Sequence, residues 1–215
     1  MADRRLTPEL MLAAYASGIF PMAETRDSDE VYWVDPRARG VIPLDGFHLS
    51  RSLAKRLKRG DFRTTMDGDL AGVLDACADR DDTWINGTIR GLTTALFEAG
   101  HAHTLEVWSD EDRLIGGVYG IALGGAFFGE SMFSRARDGS KIALPWLIDH
   151  LRRTGFTLFD TQFLTPHLAS LGALEISRDM YRTRLSEALN SPADIRKIPL
   201  ETNAQALVQR MTQTS

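Results

Sequence analysis

Leu114-Ile-Gly-Gly-Val-Tyr-Gly-Ile-Ala-Leu-Gly-Gly-Ala-Phe-Phe-Gly-Glu-Ser-Met-Phe133 is the stretch on which the fold turns. Its apolar residues are interrupted by six glycines, a composition that disfavours a helix and predicts paired strands. Just upstream, His103 to Trp108 alternates with strand period, and Ser109-Asp110-Glu111-Asp112 reads as a turn, so a β-meander is expected across this region. Glycines inside strands imply bulges, or the close approach of another backbone or a ligand. The stretch lacks the Gly-Lys-Ser/Thr of a P-loop and the strand-to-helix setting of a dinucleotide fingerprint, which excludes a nucleotide site there.

Helical patterns flank the meander. Leu49, Leu53 and Leu57 form one apolar stripe, Leu70, Val73, Leu74 and Cys77 a second, and Ile89, Leu92 and Leu96 a third that stops at Gly100. Ser140 is expected to cap a helix running to Arg153, Phe156 to Gln162 reads as an apolar strand, and Thr165-Pro166 and Ser177 start two further helices. At the front, Thr7-Pro8-Glu9 opens a helix that Gly18 ends, and Asp35-Pro36-Arg37 follows an acid-rich segment. The expected class is α+β (mixed α/β): a small N-terminal domain over 1–36, a main domain over 37–190, and a polar tail over 191–215, loosely held from 198 onward.

The chain has 215 residues, one cysteine and a net charge of -4. One cysteine excludes a disulfide framework and a thiolate zinc site. No apolar run approaches the roughly 20 residues that cross a bilayer. Met1-Ala-Asp-Arg-Arg is followed by no apolar signal core, so a cytoplasmic location is expected, with no membrane partner. The acidic balance argues against coating nucleic acid by bulk charge. Charge is segregated, however: residues 48–63 carry a local +5, leaving -9 on the remainder. Arg51, Lys55, Lys58 and Arg59 fall on one side of that helix, opposite its leucines. Such a face is either a solvated surface or a phosphate-contacting stripe.

Three groups of residues could carry chemistry. Glu130 sits among aromatic and thioether side chains, and by alternation shares a face with Phe128 and Met132; an acid there needs a cationic partner, either Arg135 or Arg137 or a substrate cation. Asp160 and Gln162 lie at the end of an apolar strand, pointing the same way, either lining a cleft or bonding loop backbone. His101 and His103 have no third ligand in register, so no metal is assigned, and neither Ser131, Ser134 nor Cys77 has the setting of a covalent nucleophile.

With these residues in place, the chain resembles the bacterial leucyl/phenylalanyl-tRNA protein transferase family. The resemblance is carried by Gly18-Ile-Phe-Pro-Met22, Tyr32-Trp-Val-Asp-Pro-Arg37, His48-Leu-Ser-Arg-Ser52, Thr83-Trp84-Ile85, Gly129-Glu-Ser-Met-Phe-Ser134, Asp160-Thr-Gln162 and Ala169-Ser-Leu-Gly-Ala173, in order from about Leu6 to Leu185. It implies a small N-terminal domain joined to a GNAT-like (acyl-CoA N-acyltransferase-like) catalytic domain. It also implies transfer of Leu or Phe, and Met less efficiently, from aminoacyl-tRNA to the α-amino group of proteins beginning with Arg or Lys, which marks them for degradation by the N-degron pathway. Under it, Asp160 and Gln162 orient the attacking amine and Glu130 lies near the incoming N-terminal residue. Phe127, Gly129 and Val118 surround the transferred side chain, and Trp84 and Tyr15 lie near the terminal adenosine and the cleft. The basic helix becomes a tRNA-contacting candidate, and a monomer with no cofactor is expected. Two positions depart from the pattern: Met22 stands where Trp often follows Phe-Pro, and Val118 where a Met can line the pocket.

An aminoacyl ester is already activated, so amide formation needs alignment and hydrogen bonds rather than ATP or a metal. A coenzyme-A-dependent N-acetyltransferase is the first rival, but Asp138 occupies the position of the first glycine of its pyrophosphate loop. A non-catalytic tRNA-binding module is the second, and it leaves Glu130, Asp160 and Gln162 without a role.

Overall fold

The computed structural model describes residues 6–213, so the signal-peptide expectation drawn from residues 1–5 lies outside the described residues. The chain runs α1 (Pro8–Ala16), β1 (Phe20–Ala23), β2 (Val31–Val34), β3 (Ala38–Val41), α2 (Arg51–Arg59), β4 (Arg63–Met66), α3 (Leu70–Ala78), α4 (Gly87–Glu98) and β5 (Ala102–Trp108). It continues through β6 (Leu114–Leu123), β7 (Ala126–Ser134), α5 (Gly139–Arg153), β8 (Leu158–Gln162), α6 (Pro166–Ala169), β9 (Leu174–Ser177), α7 (Arg178–Leu189) and α8 (Ala204–Thr212). Local chemistry explains most helix starts. The hydroxyls of Thr7, Ser50, Thr165 and Ser177 each accept a backbone N–H of the first turn of α1, α2, α6 and α7, a cap worth about 1 kcal/mol.

Among the described residues, seven strands form one sheet in the order β4-β5-β6-β7-β8-β3-β9, and β1 pairs with β2 in a separate ribbon. All pairings are antiparallel except β7 with β8, which α5 connects as a crossover. The meander expected around Leu114–Phe133 is β5-β6-β7. Its glycines serve both anticipated purposes. A Cβ on Gly116 would meet the backbone of Gly139 at 2.4 Å, so the start of α5 lies directly on β6; a Cβ on Gly120 would meet the Phe128 carbonyl oxygen at 2.3 Å, beside a register shift between β6 and β7.

One face of the sheet packs Leu105, Val118, Phe127 and Phe159 against α5, with α2 and α8 beyond it. The other packs Ile121, Phe128 and Leu158 against α1 and α7, and Tyr119 and Phe133 against α3. The N-terminal segment shares this second core: the Tyr15 ring lies 4.9 Å from that of Phe128.

Two expectations are corrected. The stretch from 198 is not loosely held: α8 buries Leu207, Val208 and Met211 in the main core, and Arg210 forks onto the Asp149 carboxylate at 2.7 and 2.8 Å. Its apolar positions recur at helical spacing but are diluted by polar neighbours. Ser140 does not cap α5; it lies in the first turn, and its N–H donates to Ser134 Oγ at 2.8 Å, so the cap comes from the strand before.

Candidate active site

The site arises where two parallel strands part. β7 and β8 pair only at Ala126–Leu158, Phe127–Phe159 and Phe128–Asp160, after which β7 stays with β6 and β8 with β3. The resulting wedge is a cavity of about 520 Å3. Glu130 and Gln162 line it together with Gly129, Val118 and Trp84, and Leu144, Phe159 and Leu168 add to its apolar wall. Trp84 stands on the segment after α3, which the N-terminal segment braces: Arg26 donates to the carbonyls of Ala78 and Arg80 at 2.7 and 2.9 Å, and Asn86 to that of Ser28 at 2.7 Å.

Both polar residues sit at irregularities of their strands. Tyr119 pairs with Ser131 and Gly120 with Gly129, leaving Glu130 as the extra residue of a bulge. The bulge overturns the expected alternation: Phe128 packs in the core on the α1 side of the sheet, whereas Met132 packs against the core on the α5 side. Gln162 has φ +65°, a left-handed backbone that costs a residue other than glycine about 1–3 kcal/mol unless its surroundings impose it.

Neither Arg135 nor Arg137 partners Glu130: Arg135 lies over the Phe133 ring and Arg137 pairs with Asp138. Glu130 Oε1 instead accepts from Gln162 Nε2 at 2.7 Å, and the Tyr15 hydroxyl also hydrogen-bonds this carboxylate. Burial pushes the Glu130 carboxyl up to about 8 and the Asp160 charge adds to the rise, outweighing these hydrogen bonds and the opposing charge of Arg39. The result is an acidic group that forms no ion pair among the described residues, with the Arg39 guanidinium acting on it only at a distance, in a cavity open to a further cation. Thr161 Oγ1 and His167 Nε2, also of lining residues, have no hydrogen-bond partner among the described residues.

Asp160 lies beneath the cavity floor, fully buried. Its carboxylate accepts from Arg39, from the Tyr181 hydroxyl at 2.7 Å and from the backbone N–H of Gln162 at 2.8 Å. It therefore holds the main chain of Gln162, whose side-chain amide goes to Glu130.

The remaining expected residues divide. Tyr15 backs Glu130 from the N-terminal helix. Phe127 does not reach the cavity: it is buried behind Phe159, edge to face at 5.4 Å, and Phe159 supplies the wall. Arg51, Lys55, Lys58 and Arg59 are all exposed along α2 away from the cavity lining, and Arg59 is engaged by Asp61. His103, on which no metal was assigned, bonds Asp67 at 2.8 Å. Sequence reasoning missed Arg39, which bonds Asp160 from behind, and Arg80, Leu144 and Phe159, which line the cavity. Arg39 offered one signal, a cation beside glycine in an otherwise apolar short strand.

Comparison with known proteins bears on this geometry. The family described as leucyl/phenylalanyl-tRNA protein transferase matches residues 41–186, and its N-terminal domain matches residues 4–37. A leucyl/phenylalanyl-tRNA–protein transferase of Ruegeria pomeroyi is 61% identical over 98% of this chain and 99% of its own length. One of Cereibacter sphaeroides is 60% identical over the whole of both chains. The crystal structure of FemX superposes with a TM-score of 0.52 at 12% identity, covering 76% of this chain and 65% of that one, a likeness of fold that agrees with the GNAT-like class. With an N-terminal and a catalytic match in sequence and relatives this close over their full length, the chain belongs to the leucyl/phenylalanyl-tRNA protein transferase family.

Proposed function

We propose that this protein transfers Leu or Phe, and Met less efficiently, from aminoacyl-tRNA to the α-amino group of proteins that begin with Arg or Lys, as a mark for degradation. The observation that carries this reading is Glu130: an acidic side chain that forms no ion pair among the described residues, in hydrogen-bond contact with Gln162, inside a cavity with an apolar wall. A guanidinium or ammonium side chain of the acceptor supplies an ion-pair partner that favours the ionised form of Glu130. The apolar wall of Val118, Phe159, Leu144 and Leu168 suits a leucyl or phenylalanyl side chain.

The chemistry asks little more of the protein than alignment. The amine nitrogen attacks the ester carbonyl, the C–N bond forms, the bond to the tRNA 3′-oxygen breaks, and the amine proton passes to that leaving oxygen. Gln162 Nε2 is occupied by Glu130, which leaves its Oε1 to accept from the amine N–H and to fix the nitrogen for attack. An α-amine with pKa near 8 needs no strong base at physiological pH. Trp84 at the cavity wall supplies a ring for the terminal adenosine, and the exposed face of α2, with Arg51, Lys55, Lys58 and Arg59, contacts phosphates of the tRNA. The protein acts as a cytoplasmic monomer.

The test is incubation with radiolabelled leucyl-tRNA and a peptide beginning with Arg, beside a matched peptide beginning with Ala. Label is expected in the first alone. Equal labelling of both, or of neither, overturns the reading, and acetylation from acetyl-coenzyme A in its place favours the acetyltransferase.

A further inference from the structure

Arg39 is a buried cation in a place where the fold alone gives little reason for one. Its side chain is 1% exposed, with the guanidinium between the Phe20 and Tyr181 rings at 4.5 and 4.4 Å from their centroids. Nε donates to Asp160 Oδ1 at 2.9 Å, Nη2 to Asp160 Oδ2 at 2.6 Å, and Nη1 to the Gly18 carbonyl at 3.0 Å. Burial works against this charge, and the hydrogen bonds and charge of Asp160 more than offset it. Buried ion pairs of this kind are weak contributors to stability compared with apolar packing of the same volume.

What the pair does is geometric. With the Tyr181 hydroxyl also donating to Oδ2, the orientation of the Asp160 carboxylate is set by three donors, and Oδ1 is turned to the Gln162 N–H. These contacts occupy the carboxylate, so it has no free role as proton acceptor. From the other side, Gly40 of the same strand pairs with Gln162, and a Cβ there would lie 2.6 Å from the Phe163 carbonyl carbon. Arg39 and Gly40 thus mould the left-handed turn at Gln162 from two directions.

We infer that Arg39 is a positioning residue for aminoacyl transfer: through Asp160 it holds the backbone turn that presents the Gln162 amide to Glu130 and to the acceptor amine. The inference rests on the proposed function of the Glu130–Gln162 pair. A lysine retains the charge at position 39 but has no planar fork with which to fix the carboxylate.

The test is a double-mutant cycle in a single-turnover transfer assay, from leucyl-tRNA to a peptide beginning with Arg. Arg39→Lys is expected to lower the transfer rate on the order of 10²-fold, with the peptide and tRNA concentrations for half-saturation little changed. In a Gln162→Ala background the same substitution is expected to cost nothing further, because the residue it positions is gone. Equal losses in both backgrounds, or an Arg39→Lys rate equal to wild type, overturn the inference. If circular dichroism shows Arg39→Lys unfolded, Tyr181→Phe takes its place in the cycle: it keeps the ring over the guanidinium and deletes one donor to Asp160, and its smaller loss must likewise vanish in the Gln162→Ala background. Wild-type protein that transfers no leucine at all overturns the proposed function itself, and this inference with it.

Discussion

Replacing Glu130 by Gln removes a charge whose availability depends on pH, and the size of the effect follows from its surroundings. With a carboxyl pushed up to about 8 by burial, Glu130 is largely protonated at neutral pH. It is ionised in about a tenth of molecules at pH 7 and about nine tenths at pH 9. Binding a cationic N-terminal side chain requires the ionised form, so the Glu130 contribution to kcat/KM rises almost tenfold per pH unit up to about pH 8 and then flattens. The acceptor amine titrates in the same range, which is why the ratio of wild-type to Glu130→Gln kcat/KM is the quantity to plot. The amine cancels in that ratio. It should climb from pH 6 to about pH 8 and level off above it, measured with a peptide beginning with Arg. A ratio flat across that range refutes the reasoning, either because the carboxylate is ionised throughout or because it never meets the cation. Stability runs the other way. The folded pKa is raised above the ordinary 4.5, so the folded state retains a proton that the unfolded chain has lost; stability is fully present below about pH 4.5 and declines as pH rises toward 8. Thermal unfolding of Glu130→Gln should show a shallower decline over that window.

Charge reversal of Lys55 and Lys58 should weaken tRNA binding and reduce the slope of log K against log salt by about 0.9 per lost phosphate contact; an unchanged slope in a filter-binding titration makes the α2 face a solvated surface. Leu207→Ala leaves a cavity where α8 closes the core and should cost about 2–5 kcal/mol in denaturant unfolding, whereas a loss within error would show that α8 adds little. Val118→Phe fills the apolar end of the cavity and should reduce phenylalanyl transfer about tenfold or more relative to leucyl transfer; equal losses would place the aminoacyl side chain elsewhere.

The helices and the meander were legible because their signals are local. Caps at Thr7, Thr165 and Ser177 and the stripes of α3 and α4 act within one or two turns of chain. β3 and β9, four residues each, carry no such pattern, and their strand form depends on partners far along the chain. α8 is illegible in the sequence because Gln205, Gln209 and Arg210 dilute a stripe that only the finished core reveals. At the site, the types and positions of Glu130, Asp160 and Gln162 could be read, but their mutual geometry could not. Strict alternation fails at a bulge, and nothing in Asp-Thr-Gln announces a left-handed Gln162, since the force that imposes it arrives from Arg39 and Gly40, over a hundred residues earlier in the chain.

The parting of β7 from β8 has one more consequence. An unpaired strand edge is ordinarily a hazard, because its free amides and carbonyls template pairing with other chains. Here two such edges face each other across the interior of a wedge, and the chain answers part of them itself: the Gln162 N–H donates to Asp160, the Thr161 carbonyl accepts from the Phe163 N–H, and the Met132 carbonyl accepts from Arg80. Edge groups satisfied from within the chain offer a neighbouring strand less to pair with, so the parting that opens the cavity does not leave two bare edges behind.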